Sequence, residues 1–335
     1  MSPVKQTYLV TGGAGFIGSH LVEALLARGD AVVALDNLFT GRESNLAGAY
    51  LNPNFRFVPG SVLDKLMVDE LVHQVDVVVH LAAVVGVRLI VEQPLRSFTT
   101  NIQGSEIVIE AAYRHRRPIF LTSTSEIYGK NSNGPLAEDA DRILGSPTVA
   151  RWAYSTAKAV DEILAYAYYR ERGLPTTVVR LFNTVGPRQS PAYGMVIPRL
   201  VRQALADEPM TVFGDGQQSR TFCHVSDTVR AIEALLDDPA AVGEPFNVGG
   251  NREITMLQLA GLIRERTGSG SEIQLIPYEQ AFPQGGFEDM RRRVPDTTKL
   301  RDLTGWQPSR SLDDILDDVI AESAAEQMST RLLGH

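Results

Sequence analysis

The fold of this chain is decided by the stretch Thr7-Tyr8-Leu9-Val10-Thr11-Gly12-Gly13-Ala14-Gly15-Phe16-Ile17-Gly18. A compact apolar run is followed by glycines at positions 12, 15 and 18, and then by sequence typical of a helix. In such a turn the glycines let the backbone approach a pyrophosphate closely, while the helix N-terminus supplies positive potential for the phosphates. An ordinary strand-to-helix turn is the simpler interpretation, and the glycines alone do not exclude it.

A carboxylate at the end of the next apolar run favours a dinucleotide site. That run, from Ala31 to Leu35, ends at Asp36, where a carboxylate can accept hydrogen bonds from the hydroxyls of an adenosine ribose. The same charge repels a 2′-phosphate, so we predict NAD as the cofactor, with NADP as the alternative because Arg42 lies nearby. The predicted cofactor-binding residues are Gly12, Gly15, Phe16, Ile17, Gly18, Asp36, Asn37, Leu81, Ala82, Tyr154 and Lys158.

Strands and helices alternate through the first half of the chain. Short apolar runs at Phe55 to Val58, Asp76 to Leu81 and Pro118 to Thr122 predict strands, and Pro94 to Arg114 predicts a helix. The strand runs are nearly continuous in apolar content, as expected of strands that are covered on both faces. The pattern therefore predicts an α/β fold with a doubly wound parallel sheet.

The length of the chain suggests two structural units, since it has 335 residues and a domain takes roughly 150. The regular alternation weakens after Gly173, where shorter elements are separated by glycine and proline. We therefore expect a dinucleotide-binding domain at residues 1–185 and a smaller α/β substrate domain at residues 186–335. Some of the later segments are expected to return to the first domain.

The composition excludes several classes of protein. A net charge of −8 argues against a nucleic-acid-binding surface. Cys223 is the only cysteine and the histidines lack the spacing of a helix-borne metal site, so we expect neither a disulfide nor a metal. The longest apolar stretch, Val75 to Val87, is too short to span a bilayer, and no signal peptide is visible. We expect a soluble, cytoplasmic protein with no membrane partner.

Tyr154 and Lys158 form the candidate acid–base pair. They stand four residues apart in a predicted helix from Trp152 to Arg172, which puts the phenol and the ammonium on one helix face. An adjacent ammonium favours the phenolate and so lowers a tyrosine pKa from its ordinary value of about 10. The segment Thr122 to Gly129 follows the predicted fifth strand and adds hydroxyls and Glu126. The alternatives are a surface Tyr and Lys and a turn capped by hydroxyls.

Together these motifs resemble the extended short-chain dehydrogenase/reductase family, and within it the nucleotide-sugar epimerases, dehydratases and decarboxylases. The resemblance runs from the glycine turn through Tyr154 and Lys158 to Gly305-Trp306-Gln307-Pro308. It implies a Rossmann-type sheet and a reaction in which a sugar is oxidised at C4 with NAD. In that reaction Tyr154, assisted by Thr124 and Lys158, removes the proton of the 4-hydroxyl.

Within the family the chain most resembles the UDP-glucuronate decarboxylases. The matching segments are Ser123 to Gly129, Phe182 to Arg188, Gly214 to Arg220 and Arg291 to Asp296. Dehydratases carry Asp-Glu where this chain has Ser125-Glu126, and uronate 4-epimerases carry an arginine where it has Ser190. The resemblance implies loss of CO2 from UDP-glucuronate to give UDP-xylose, with release of some 4-keto pentose left open. A 4-epimerase is the alternative, and a nonenzymatic dinucleotide-sensing regulator is a remote one.

The resemblance also implies roles for individual residues and a partner. The implied catalytic residues are Tyr154, Lys158, Thr124, Glu126 and Ser125, and the implied substrate-binding residues are Asn183, Arg220, Arg292 and Arg293. The segment Ala83 to Leu89 replaces a Ser/Pro-rich segment of the decarboxylases, and we expect it to lie against the sugar. Homodimers built from two helices of each subunit are common in the family. The run Ala159 to Tyr169 can supply such a face or belong to the core.

Overall fold

The computed structural model describes residues 5–86, 93–191, 194–282 and 288–333, with side chains as far as residue 328. Its strands are β1 (Thr7–Thr11), β2 (Ala31–Asp36), β3 (Phe55–Pro59), β4 (Val77–His80), β5 (Ile119–Thr124), β6 (Thr176–Leu181), β7 (Thr184–Val185), β8 (Met210–Phe213), β9 (Ser219–Arg220), β10 (Cys223–His224), β11 (Pro245–Val248), β12 (Ile254–Thr255), β13 (Ile273–Ile276) and β14 (Arg292–Arg293). Its helices are α1 (Phe16–Ala27), α2 (Lys65–His73), α3 (Pro94–Arg114), α4 (Arg151–Arg172), α5 (Val196–Leu205), α6 (Val225–Asp237), α7 (Met256–Thr267), α8 (Tyr278–Ala281), α9 (Thr298–Thr304) and α10 (Leu312–Leu333). Across the described ranges, none of these helices combines the length and the apolar character needed to cross a bilayer.

One parallel sheet organises the molecule. Within the described residues it has seven strands in the order β11-β6-β5-β4-β1-β2-β3. The chain moves outward from β1 to β3 and then crosses to β4 on the other side of β1, so the direction of winding reverses between β1 and β4. At such a reversal a crevice opens beyond the carboxyl ends of the strands, and ligands bind there. The predicted doubly wound parallel sheet is confirmed.

Helices cover both faces of the sheet because its strands are apolar on both. Successive strand residues face opposite sides, so Val10 packs with α1 and α6 on one face. Its neighbour Leu9 packs with α2, α3 and α4 on the other face. Both side chains are fully buried, and burial of an aliphatic side chain of this size stabilises the fold by about 1.5–3 kcal/mol.

Part of the second half of the chain completes this sheet. Strand β11 lies far beyond residue 185 in the sequence. It nevertheless pairs with β6, with Phe246 opposite Val179. Helices α5, α7 and α10 form a separate apolar core with β8, which contains Leu200, Met210 and Leu316. The division into domains at residue 185 stays a prediction, since the two halves are interleaved in this way.

The fifth strand is longer than the sequence predicts. Thr124 is expected after the strand, whereas in the structure it is the last strand residue and stands opposite Leu181 of β6. Threonine is β-branched and fits a strand well, so Ser123 and Thr124 continue the ladder before a 3₁₀ turn, Ser125–Tyr128. This carries the hydroxyls to the carboxyl edge of the sheet.

Candidate active site

A cavity of about 1300 Å³ lies along the carboxyl ends of the central strands. It brings together most of the residues predicted from the sequence, namely Gly12, Gly15, Phe16, Ile17, Gly18, Asp36, Asn37, Leu81, Ala82, Thr124, Ser125, Glu126, Tyr154, Lys158, Asn183, Arg220 and Arg293. Arg292 does not line it. Of the segment predicted to contact the sugar, residues 83–86 line the cavity and residues 87–89 lie outside the described residues.

The glycine turn keeps the backbone open to close approach by a ligand. Gly12 has a φ of +73°, and a Cβ there would stand 2.9 Å from the backbone nitrogen of Ala82. A Cβ at Gly18 would stand 2.1 Å from the carbonyl oxygen of Gly12. Both positions therefore need glycine. The buried hydroxyl of Ser123, which lines the same cavity, has no hydrogen-bond partner among the described residues and is available to a ligand.

Asp36 is held in place by the turn that it follows. One oxygen of its carboxylate accepts a hydrogen bond from the backbone nitrogen of Ala14 at 3.0 Å, and the other accepts one from Leu38 at 2.8 Å. Burial raises the pKa of Asp36, and the backbone hydrogen bonds partly offset that rise. Arg42, which could have accommodated a 2′-phosphate, stands 3.8 Å from Glu326. The glycine turn, Ser123 and Asp36 together fit a dinucleotide whose ribose carries free hydroxyls.

Replacing Asp36 with serine is expected to weaken NAD binding by about 10- to 100-fold, because a charge-assisted hydrogen bond contributes roughly that much. Titration calorimetry of the full chain with NAD measures the change. The matched control is Asp64→Ser, since Asp64 caps α2 through the backbone of Met67 and serine can cap a helix equally well. Equal NAD affinity of the two variants would show that Asp36 does not hold the cofactor.

Tyr154 and Thr124 meet inside the cavity. The phenol of Tyr154 on α4 is hydrogen-bonded to the hydroxyl of Thr124 at the end of β5. The hydroxyl of Ser155 donates to the carbonyl of Glu126 at 2.8 Å and so ties the 3₁₀ turn to α4. Lys158 follows one turn later on the helix and also lines the cavity. A phenol, a hydroxyl and an ammonium thus line one cavity, where the phenolate form of Tyr154 can accept the proton of an alcohol.

The electrostatics of Tyr154 differ from the expectation based on Lys158 alone. Burial raises the pKa of Tyr154, and the carboxylates of Glu126 and Asp161 raise it further. The hydrogen bond from Thr124 and the charge of Arg293 act in the opposite direction without reversing the shift. Burial is the largest cause of the difference. The ammonium of Lys158 also stands 3.2 Å from a buried carboxylate, that of Asp161, which opposes its charge.

Glu126 is buried between two arginines. Arg151 donates to both of its oxygens, at 2.5 and 2.9 Å, and Arg293 donates to one of them at 3.2 Å. Burial by itself raises a carboxyl pKa, but Arg151 and then Arg293 hold the pKa of Glu126 below its ordinary value. The carboxylate is therefore ionised and cannot serve as an acid.

Arg220 belongs to a second buried ion pair of the cavity. It donates to Asp289 at 2.8 Å, and the hydroxyl of Tyr278 donates to the other oxygen of Asp289 at 2.7 Å. Asn183, which follows β6, accepts a hydrogen bond from Arg293 of the Glu126 cluster. Burial lowers the pKa of Arg293 to about 10, and the nearby charge of Arg220 adds to this effect. Both arginines line the cavity and present guanidinium groups to a ligand there.

Arg292 does not share this arrangement. It donates to both oxygens of Glu253, at 2.9 and 2.8 Å, on the outer side of β14. Adjacent strand residues face opposite sides, so Arg293 points into the cavity and Arg292 away from it. Arg292 is therefore not brought to the site where the resemblance places it.

Several cavity residues were not predicted from the sequence: Arg151, Asp289, Tyr278 and Arg199. Arg151 stands three residues before Tyr154 in the same helix, and this spacing could have placed it on the face of Tyr154. The other residues carried no local signal, since they reach the cavity from elements whose packing the sequence does not reveal.

Known proteins similar to this chain agree in family. A model of the NAD-dependent epimerase/dehydratase family matches residues 8–249. The chain is 40% identical over 318 residues to the UDP-N-acetyl-alpha-D-glucosaminuronate decarboxylase of Bacillus cytotoxicus, which covers 95% of this chain and 97% of that protein. It is 38% identical over 304 residues to UDP-glucuronic acid decarboxylase 2 of Arabidopsis thaliana, over 91% of this chain and 65% of that protein. The crystal structure of the UDP-glucuronic acid 4-epimerase from Bacillus cereus, in complex with UDP-glucuronic acid and NAD, matches with a TM-score of 0.86 at 30% identity, over 96% and 99% of the two chains.

Proposed function

Because the chain belongs to the NAD-dependent epimerase/dehydratase family, we propose that it is a decarboxylase that converts UDP-glucuronate into UDP-xylose and CO2. NAD is the cofactor, and the glycine turn and Asp36 would hold it. When bound, NAD supplies the hydride acceptor for C4 of the sugar and returns the hydride at the end of the turnover. The chain's own residues bind the sugar, move its protons and select the reaction that follows oxidation.

Tyr154 is the residue that we assign to remove the proton of the sugar 4-hydroxyl. Its phenol is hydrogen-bonded to Thr124, so the two oxygens can hold one sugar hydroxyl between them. Lys158 lines the cavity on the same helix face. After the carbon–carbon bond has been cleaved, Tyr154 returns the proton to the oxygen at C4.

Loss of CO2 then needs little further assistance from the protein. A ketone at C4 is β to the C6 carboxylate, so the electrons of the C5–C6 bond can move into the ketone as CO2 departs. A proton from solvent enters at C5, and the overall reaction consumes it. The site must hold the carboxylate out of the plane of the ketone. We assign Arg220 to the carboxylate itself, and Glu126 to this end of the sugar as the group that orients Arg151 and Arg293.

The observation that carries this proposal is the cluster of Arg151, Glu126 and Arg293 beside Tyr154. An ionised Glu126 cannot protonate a leaving hydroxide, which a dehydratase needs, whereas decarboxylation expels neutral CO2 without an acid. With Arg220 and Asp289, the cluster has one more positive than negative charge, which suits an anionic nucleotide sugar.

The experiment is to mix the full chain with NAD and UDP-glucuronate and to determine the mass of the product. We expect a nucleotide sugar lighter by one CO2, with little NADH left in solution. A parallel reaction with UDP-N-acetylglucosaminuronate tests the 2-acetamido substrate, which the name of the Bacillus cytotoxicus relative specifies. If only UDP-N-acetylglucosaminuronate gives a lighter product, the chain is still a decarboxylase, but UDP-glucuronate is not its substrate.

A 4-epimerase is the second candidate function. It is favoured by the structural match to the Bacillus cereus 4-epimerase that was crystallised with UDP-glucuronic acid. Ser190 argues against it, since this residue lines the cavity where the epimerase motif carries an arginine that could retain the substrate carboxylate. An epimerase would return the C4 epimer with its mass unchanged.

We further propose that the chain forms a homodimer through α3 and α4, which pack side by side on one face of the sheet. Helix α4 leaves Val160, at 38%, and Ile163, at 62%, exposed three residues apart, which puts them on one helix face. Exposed apolar side chains on one face mark a site of protein association. The cytoplasmic location expected from the sequence stays a prediction.

Replacing Ile163 with glutamate is expected to convert the dimer to a monomer, because it puts a charge at the centre of an apolar interface. Light scattering of the purified chain gives the mass in solution. Leu51→Glu is the matched control, since Leu51 is 88% exposed and lies outside both helices. A monomeric parent chain, or a dimeric Ile163→Glu variant, would overturn this interface.

A further inference from the structure

Asp161 is a buried carboxylate that the proposed reaction does not use. It follows Lys158 by three residues on α4, and its oxygen stands 3.2 Å from the ammonium nitrogen of that lysine. Both side chains are almost fully buried, at 1% and 2% exposed. Lys158 lines the cavity, whereas Asp161 does not. The carboxylate therefore acts on the site only through the lysine.

A row of hydrogen bonds lies beside Asp161 in the core. Burial raises the pKa of Asp161, and Lys158 and the nearby Ser105 hydroxyl on α3 partly offset that rise. The Ser105 hydroxyl donates its hydrogen to the carbonyl oxygen of Asn101 at 2.7 Å. That hydroxyl lies 3.1 Å from Nε2 of His80 at the end of β4. The other ring nitrogen of His80, Nδ1, lies 2.7 Å from the hydroxyl of Thr11, the last residue of β1. These hydrogen bonds link α3, β4 and β1 inside the core, beside the pair of Lys158 and Asp161 on α4.

His80 takes part in these hydrogen bonds as a neutral group. It is fully buried, and burial together with the charge of Lys158 lowers its pKa to about 3. A neutral imidazole donates at one nitrogen and accepts at the other, so it can link the hydroxyls of Thr11 and Ser105 without adding a charge.

We propose that Asp161 is a positioning residue that anchors Lys158 and limits how much of its positive charge reaches Tyr154. This inference rests on the proposed function, in which Tyr154 exchanges a proton with the substrate. A paired ammonium and carboxylate present little net charge to a third group, so the lysine alone would favour the phenolate more strongly.

Other charges act on Tyr154 besides this pair. Glu126 from the 3₁₀ turn raises the pKa of Tyr154 more than Asp161 does, and Arg293 from β14 lowers it. Lys158 lines the same cavity from the helix of Tyr154. Glu126 and Arg293 are hydrogen-bonded to each other, so their effects on the phenol oppose one another. Asp161 itself faces Lys158, the Ser105 hydroxyl and the neighbouring Glu162. Glu162 is bound to Arg180 at 2.7 Å.

The test is to remove the charge of Asp161 without removing its hydrogen bonds, as in Asp161→Asn. Tyrosinate absorbance of the full chain with NAD is recorded at one alkaline pH. The same measurement is made on a variant that also carries Tyr154→Phe. The difference isolates Tyr154. We expect the Tyr154-dependent tyrosinate signal to rise roughly tenfold in Asp161→Asn, which corresponds to a pKa lower by about one unit. In turnover, the acid limb of kcat should shift to lower pH.

Matched variants separate this role from a structural one. Glu162→Gln removes another buried carboxylate of the same helix, one that faces Arg180, and should leave the tyrosinate signal at the parent level. Asp161→Glu keeps the charge and should do the same. Asp161→Ser gives a second uncharged side chain and should reproduce the rise, including where Asp161→Asn does not fold.

An unchanged or smaller tyrosinate signal in the uncharged variants would overturn the inference. An equal rise in Glu162→Gln would also overturn it, because the effect would then not be specific to the pair with Lys158. The tyrosinate measurement uses no substrate, so its failure is distinguishable from failure of the proposed function. A chain that shows the rise but releases no CO2 refutes the decarboxylase while it leaves the role of Asp161 standing.

Discussion

Tyr154→Phe is expected to lower kcat by about 10²- to 10⁴-fold, the usual contribution of a positioned proton-transfer group. The variant keeps the aromatic ring in its buried place on α4 and removes the hydroxyl that is bonded to Thr124. NAD affinity should stay near that of the parent chain, because the glycine turn and Asp36 are untouched. Steady-state assays and calorimetric titration measure the two quantities.

Tyr166→Phe is the matched control for this loss. Tyr166 lies on the same helix, and its buried hydroxyl has no hydrogen-bond partner among the described residues. It does not line the cavity, so removal of its hydroxyl should change kcat by less than about twofold, because it takes no part in the proton transfer. Comparable kcat values for the two variants would remove Tyr154 from the catalytic assignment.

Glu126→Gln should be the most destabilising of the site substitutions. It leaves the guanidinium groups of Arg151 and Arg293 without the carboxylate that they share, and breaking a buried ion pair costs about 3–5 kcal/mol. Because the pKa of Glu126 is lowered in the folded chain, its contribution is present above the ordinary carboxyl range. It is lost as the pH falls through the lowered pKa. Urea unfolding at neutral and at acid pH measures both effects.

Glu253→Gln provides the control with the same geometry at the surface. Glu253 accepts two hydrogen bonds from Arg292 and one from Ser219, as Glu126 accepts bonds from Arg151 and Arg293. An exposed ion pair contributes about 0–1 kcal/mol, so this substitution should change the free energy of unfolding by no more than that. Equal losses for the two variants would contradict the burial-based account of Glu126.

The sequence predicts the sheet well because its strands carry strong local signals. The helix Pro94 to Arg114 was predicted with the observed bounds, since a proline suits its first turn. Strand β11 could not be recognised in the same way. Pro245–Val248 is a short apolar run, and its place at the edge of the main sheet follows from pairing with β6 across a long sequence separation.

The site residues could be predicted where one short segment of sequence contains them. They were harder to predict where charged side chains from different helices and strands come into contact. The helical spacing of Tyr154 and Lys158 identifies them as a candidate pair. The spacing also implies a lowered tyrosine pKa, and Asp161 opposes that effect. The charge of Lys158 is opposed because α4 buries both side chains, and burial is not visible in the spacing. For Arg292 and Arg293, strand alternation would have shown that at most one of the two can face the cavity.

The central claim is that a C4-oxidising site in this chain cleaves the bond between C5 and C6. It is tested most directly with UDP-glucuronate that carries an isotopic label in its carboxyl carbon, mixed with NAD and the full chain. We predict that the label leaves as CO2 in the same molar amount as the UDP-pentose that forms, and that Tyr154→Phe abolishes both. A label that stays in a nucleotide sugar epimerised at C4 would contradict the account.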